Sequence, residues 1–161
     1  GRRPIPNAYF ANGGQMQFVE QTFASGLADP GPGMGAIHAD VDRDGWMDLA
    51  VFSYKGRFRL YRNRGGRHWP AHRSLRVVLQ GRSGNAQGLG SEVTLTLDDG
   101  RQRRCFYTGS QGLAGGSEVA CHFGLGTATA SALEIRWPDT STSTVTTPLK
   151  PNTALHCAQP D

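Results

Sequence analysis

A chain of 161 residues with 37% hydrophobic content suits one ordinary domain or two small ones. Its 22 glycines and 9 prolines argue against a helical bundle and for short strands joined by turns, and no stretch approaches the about 18 apolar residues of a membrane span. The formal net charge of +4 is carried almost wholly by arginine, which admits a polyanionic partner.

The opening Gly1-Arg2-Arg3-Pro4 leads into polar sequence and carries no signal peptide, as expected of a mature secreted protein or a piece cut from one. Residues 8–14 read as a strand running into a turn, residues 18–23 as a second strand, and residues 29–35 as a loop rich in glycine and proline. Residues 36–39 and 49–52 are short apolar runs of strand length. Between them stands Asp-Val-Asp-Arg-Asp-Gly-Trp-Met-Asp, residues 40–48, with four carboxylates on alternate positions. Ca²⁺ takes roughly six to eight oxygen ligands, and alternate residues of a tightly wound loop point inward. Asp40, Asp42 and Asp44 supply three, the backbone carbonyl of Trp46 a fourth, and Asp48 closes the cage. Gly45 suits the sharp turn, since a residue without Cβ enters positive φ at little cost. An EF-hand needs a bidentate Glu at its twelfth position and flanking helices; Val51 stands there instead, between strands. The competing reading is an Asp-rich surface turn, but four aligned carboxylates would repel one another without a cation.

A third strand is expected over residues 57–62. Lys55, Arg57, Arg59, Arg62, Arg64, Arg67 and Arg73 form the densest basic stretch, interleaved with Phe58, Leu60, Tyr61 and Trp69. One reading makes Arg57, Arg59, Arg62, Arg64 and Arg67 a site for anionic glycan, with nucleic acid disfavoured. The plainer reading, favoured by the alternation, sends Phe58 and Leu60 inward and Arg57 and Arg59 into solvent.

Residues 69–72 read as a linker and 75–79 as a strand. The glycine-rich loop 81–90 opens no helix and is no anion site. Residues 92–97 alternate cleanly into Asp98-Asp99-Gly100, a hairpin turn. Further strands fall at 102–107, 119–123, 132–137, 142–146 and 153–157, a spacing that predicts a small β-sandwich or barrel. Cys105, Cys121 and Cys157 lack zinc spacing and fit either one disulfide plus a free thiol or three buried thiols. Cys105 and Cys121 lie in two strand-like runs around a hairpin centre near Leu113 and are the favoured pair, because disulfides and weak Ca²⁺ sites both belong outside the cell.

Asp40, Asp42, Asp44, Gly45, Asp48 and Leu49, with the later Leu60-Tyr61-Arg62-Asn63, resemble an FG-GAP/VCBS propeller repeat. From about Leu75, the motifs Gly88-Leu89-Gly90-Ser91-Glu92-Val93, His122-Phe123-Gly124-Leu125-Gly126 and Trp137-Pro138-Asp139 resemble the ASPIC/UnbV domain that closes cartilage acidic proteins and their bacterial relatives. The resemblance implies a partial propeller segment with a Ca²⁺ loop over residues 1–70 and an ASPIC/UnbV-like β domain over 71–161, an all-β fold throughout. A propeller closes a ring of typically four to eight blades, and one metal loop does not make a ring. Open sheet edges then predict a protein partner, or self-assembly into oligomers or fibres by strand addition or stacking.

No nucleophile elbow, zinc-protease helix or phosphate loop is present. His122 is expected to make a structural hydrogen bond, His38 lies out of line with the loop ligands, and Glu118, Glu134 and Asp139 are scattered without evident partners. The expectation is a non-enzymatic extracellular or cell-surface protein for adhesion or assembly, with Ca²⁺ as a structural staple. The alternatives are an Arg-rich polyanion module and an accessory domain of a larger secreted protein or enzyme.

Overall fold

A computed structural model describes residues 7–54, 56–67, 69–110, 116–146 and 148–160. Gly1-Arg2-Arg3-Pro4, Lys55 of the basic stretch and Leu113, the expected hairpin centre, lie outside these residues. Among the described residues the regular elements are all strands apart from one 3₁₀ turn, Gly65–Arg67, and no helix is long and apolar enough to cross a membrane.

Strands β1 (Phe10–Gly14) and β2 (Gln17–Glu20) form a hairpin, and β3 (Gly33–Ala39), β4 (Asp48–Ser53) and β5 (Arg59–Tyr61) an antiparallel sheet in that order. The remaining strands are β6 (Arg73–Gln80), β7 (Glu92–Leu97), β8 (Gln102–Phe106), β9 (Cys121–Gly126), β10 (Ala130–Arg136), β11 (Thr142–Val145) and β12 (Thr153–Ala158). They make one sheet ordered β11-β10-β7-β8 and another ordered β12-β6-β9.

These two sheets share one core because their strands alternate. Val93, Leu95 and Leu97 of β7 point in while Glu92, Thr94 and Thr96 point out, and β10 registers Leu133 on Leu95 and Ile135 on Val93. Leu75, Val77 and Leu79 of β6 and Cys121, Phe123 and Leu125 of β9 supply the facing layer. Each of these Val, Leu, Ile and Phe side chains, fully buried, contributes about 1.5–3 kcal/mol of hydrophobic stabilisation. The Tyr107 hydroxyl accepts from Leu79 N–H at 2.9 Å and donates to the Val119 carbonyl at 2.7 Å, so one buried polar group is satisfied on both sides.

Strand β12 runs parallel to β6, a pairing the strand spacing does not announce. Asn152, at φ 57°, sets its start: its Oδ1 accepts from Ser74 N–H and its own N–H donates to the Ser74 carbonyl.

The Cys105–Cys121 disulfide forms, with Cys157 free and buried, but it is no cross-hairpin bond. Cys105 sits on β8 and Cys121 on β9, strands of different sheets, so the bridge ties the two layers together.

The third strand is shorter than expected, and its faces are reversed. Phe58 is 58% and Leu60 51% exposed, whereas the Arg59 Nε lies 3.2 Å from the carboxylate of buried Asp29. A buried carboxylate demands a partner, and Arg59 turns inward to meet it. The second strand likewise stops at Glu20, where residues 21–26 turn on hydrogen bonds from Ser25 to Gln21 and from Leu27 to Thr22. The core cluster lies wholly within residues 75–157; in the two N-terminal sheets only Ala50 and Val51 are buried apolar side chains among those described.

Candidate metal centre

The loop between β3 and β4 draws its shape from its own carboxylates. Asp40 Oδ1 accepts from Asp44 N–H at 3.0 Å and Oδ2 from Gly45 N–H at 2.9 Å. Asp42 Oδ1 accepts from Asp44 N–H at 3.3 Å, and Asp44 Oδ1 from Trp46 N–H at 2.9 Å. Such short-range side-chain-to-backbone bonds are what Asp contributes to turns. Asp48, 3% exposed, anchors the loop: its Oδ2 accepts from Val41 N–H at 3.1 Å and its Oδ1 from Asn63 N–H at 2.7 Å, which ties β4 to the segment after β5.

Gly45 has two reasons to be glycine. Its φ is +90°, in the left-handed region, and a Cβ there would lie 2.7 Å from Ser74 Oγ.

Carboxylate oxygens of Asp40, Asp42 and Asp48 all lie within 4.8 Å of one another. That donor set, hard oxygens at the corners of one small space, fits Ca²⁺ rather than a transition metal. Asp44 is not in this group: its carboxylate is turned onto Trp46 N–H and toward Arg62, 3.9 Å away. The Arg62 guanidinium also contacts Asp42 directly. Arg62 therefore acts as a counter-ion to the loop, a role the polyanion reading did not foresee.

The loop is also docked on the sandwich. His122 Nε2 lies 3.1 Å from the Gly45 carbonyl oxygen, the structural hydrogen bond expected of this residue, while its buried Nδ1 has no partner among the described residues. Burial holds the His122 imidazole below its ordinary pKa, against the pull of the Asp40 carboxylate. Trp46 packs with Trp69 and His72, ring centroids 6.3 and 6.0 Å away.

The predicted arginines do not form one row. Arg57 is exposed, Arg59 serves Asp29, Arg62 serves the loop, and Arg64 and Arg67 line a cleft with Arg62 and Asp44. Two of the carboxylates read as scattered have partners: Glu118 contacts Arg76, and Asp139 accepts from Ser141 and Gln159 and pairs with Arg82. The aromatic group around Trp46 was missed, although Trp69 and His72 stand three residues apart next to Arg67.

Residues 81–161 match the ASPIC and UnbV family. The chain is 29% identical over 142 residues to Cartilage acidic protein 1 of Xenopus tropicalis, a match covering 86% of this chain and 22% of the relative. To the proteins of the same name from Mus musculus and Homo sapiens it is 31% and 32% identical, over 70% of this chain and 17% of each relative. The chain thus spans about a fifth of the length of these relatives.

Proposed function

Because the chain belongs to the ASPIC and UnbV family, we propose that it is an extracellular β module of a larger protein, non-enzymatic, in which Ca²⁺ braces an FG-GAP/VCBS-like loop for adhesion or assembly. The observation that carries this reading is the convergence of Asp40, Asp42 and Asp48 oxygens within 4.8 Å on a strand-loop-strand unit. Ca²⁺ would be held by these three carboxylates, with Asp44 and the Trp46 carbonyl completing the set. It would neutralise their repulsion and fix the register of β3 on β4, which begins at the Ala39–Asp48 pair. The disulfide supports an oxidising compartment.

Structural use of the metal is favoured over signalling. The strands on either side are already paired over residues 33–53, and a bound ion gains more by locking that register than by opening it. No reacting group is assigned: His122 is engaged by the Gly45 carbonyl, and the carboxylates nearest it serve the loop or Arg76.

The partner class is a protein chain. Both outer strands of the β3-β4-β5 sheet have a free edge among the described residues, with exposed Leu60 and neighbouring Phe58 at the β5 edge and Met34 at the β3 edge. Strand addition there would satisfy backbone groups and cover apolar surface together.

Calorimetric titration with Ca²⁺ tests the metal reading. One site per chain, lost in Asp40→Asn with Asp42→Asn, is the expected result; absence of binding heat and of any shift in melting temperature rejects it. A hydrodynamic mass of a monomer at micromolar concentration in Ca²⁺ rejects self-assembly.

A further inference from the structure

The 40–48 loop has a second face. Trp46, Trp69 and His72 have ring centroids 6.3, 6.0 and 6.2 Å apart, with interplanar angles of 34°, 14° and 25°. Three nearly equal separations exclude a column, in which the outer pair would lie roughly twice as far apart as neighbours. The rings form a terrace. It lines a cavity of about 590 Å³ between the loop and the sandwich, faced by polar Asn63 and Asn152. That volume is in the range of small-ligand sites, as is the mixture of aromatic wall and a few polar groups.

The terrace is built into the fold. Gly65, at the start of the Gly65–Arg67 turn, lies so close to Trp46 that a Cβ there would meet the ring at 2.6 Å, so the backbone packs directly against the indole. Trp69 N–H then donates to the Gly65 carbonyl at 2.9 Å, and His72 N–H to the Trp69 carbonyl at 3.0 Å. The same turn presents charge. Arg67 N–H donates to the Arg64 carbonyl at 3.1 Å, and residues three apart in 3₁₀ geometry are eclipsed. Arg64 and Arg67 line one cleft of about 250 Å³, and Asp44 lines both that cleft and the aromatic cavity. Neither arginine is in an ion pair among the described residues, whereas Arg62 beside them is bound to Asp42.

We propose that this is a binding site for an acidic saccharide, one sugar ring lying on the Trp46, Trp69 and His72 terrace while its carboxylate or sulfate is taken by Arg64 and Arg67. The C–H face of a pyranose is apolar and carries partial positive charge, which the negative face of an aromatic ring attracts. Guanidinium forks match carboxylate and sulfate oxygens. A cationic ligand on the same rings would be repelled by the arginines. Single-stranded nucleic acid also stacks on aromatics beside basic residues, but the inter-sheet disulfide points to a compartment where acidic glycans are the polyanions at hand. The site goes beyond the calcium reading: none of its aromatic or arginine side chains is a proposed metal ligand, and the one proposed ligand carboxylate it shares with the metal loop is that of Asp44.

Titration of the full chain, followed by tryptophan fluorescence, decides the matter. Trp46 and Trp69 would report binding, whereas Trp137 is 2% exposed and gives a constant background. The ligands are a heparin tetrasaccharide, with sulfates and carboxylates, a hyaluronan tetrasaccharide, with carboxylates alone, inorganic polyphosphate and oligothymidylate. At least one saccharide is expected to saturate the signal and to bind more tightly than either control. Trp69→Ala should weaken it about tenfold, with most affinity kept in Trp69→Phe, which also guards against a folding defect in the alanine variant. Arg64→Gln with Arg67→Gln should weaken it by a similar factor and flatten its salt dependence. Absence of saturable saccharide binding, indifference to both Trp69→Ala and the arginine pair, or tighter binding of polyphosphate or oligothymidylate overturns the proposal.

Discussion

His122 Nε2 and the Gly45 carbonyl oxygen, 77 residues apart in the chain, meet at 3.1 Å and join the acidic loop to the sandwich. In this arrangement Nε2 carries the proton and donates, and the buried Nδ1 is left without a partner among the described residues. Burial holds the imidazole below its ordinary pKa of 6.5, so the folded chain keeps it neutral while the unfolded chain protonates first as pH falls. Its contribution is complete above the ordinary value and is lost as pH drops through the lowered one. The melting temperature is expected to fall as pH drops from that ordinary value toward the lowered one, and the fall to shrink in His122→Gln. An equal fall in the variant refutes the assignment.

Asp42 and Asp48 separate metal binding from folding. Asp42 is exposed and held by Arg62, whereas buried Asp48 accepts from Val41 and Asn63. Asp42→Ser should weaken Ca²⁺ binding at least about tenfold while changing metal-free stability by no more than about 0.5 kcal/mol. Asp48→Ala should cost about 2–4 kcal/mol even in chelator, since it leaves two N–H donors without acceptors. Denaturant unfolding of both variants, with and without Ca²⁺, measures the contrast.

Reduction of Cys105–Cys121 opens a cross-link between residues 16 apart, for which chain entropy predicts a loss of about 3 kcal/mol. Cys157, buried and with its thiol pKa pushed up by that burial, should resist alkylation in the folded chain. Intact mass after alkylation under native and reducing, denaturing conditions should therefore step from no label to three. A label on the native chain contradicts the pairing or the burial.

Tyr107→Phe keeps the ring and removes the hydroxyl that serves Leu79 and Val119. The cost should be about 1–3 kcal/mol, visible as a lower denaturant midpoint with an unchanged slope.

Much of this fold is legible in local sequence and some is not. The alternation of residues 92–97 and the Asp98-Asp99-Gly100 turn give β7 and its hairpin to β8 directly, and the spaced aspartates give the loop. The pairing of β12 with β6 joins residues 78 apart, and no local pattern encodes such a contact. The reversal at β5 has a different cause. Alternation separates two faces but says nothing of which is inward when the sheet has little of its own core, and there the buried carboxylate of Asp29 decides. The disulfide pair is readable from strand positions, but its span between sheets is not, because β8 pairs with β7 whereas β9 pairs with β6, a strand distant from it in sequence. The aromatic terrace was hidden because its rings come from two segments, Trp46 in the loop and Trp69 with His72 after β5, that meet only in the fold.

Amide hydrogen exchange with Ca²⁺ and with chelator tests the calcium staple most directly. With Ca²⁺, residues 40–53 should exchange more slowly, by the binding free energy, while β7 and β10 in the sandwich core keep the same protection in both conditions. Identical exchange of residues 40–53 with and without Ca²⁺ would contradict the account.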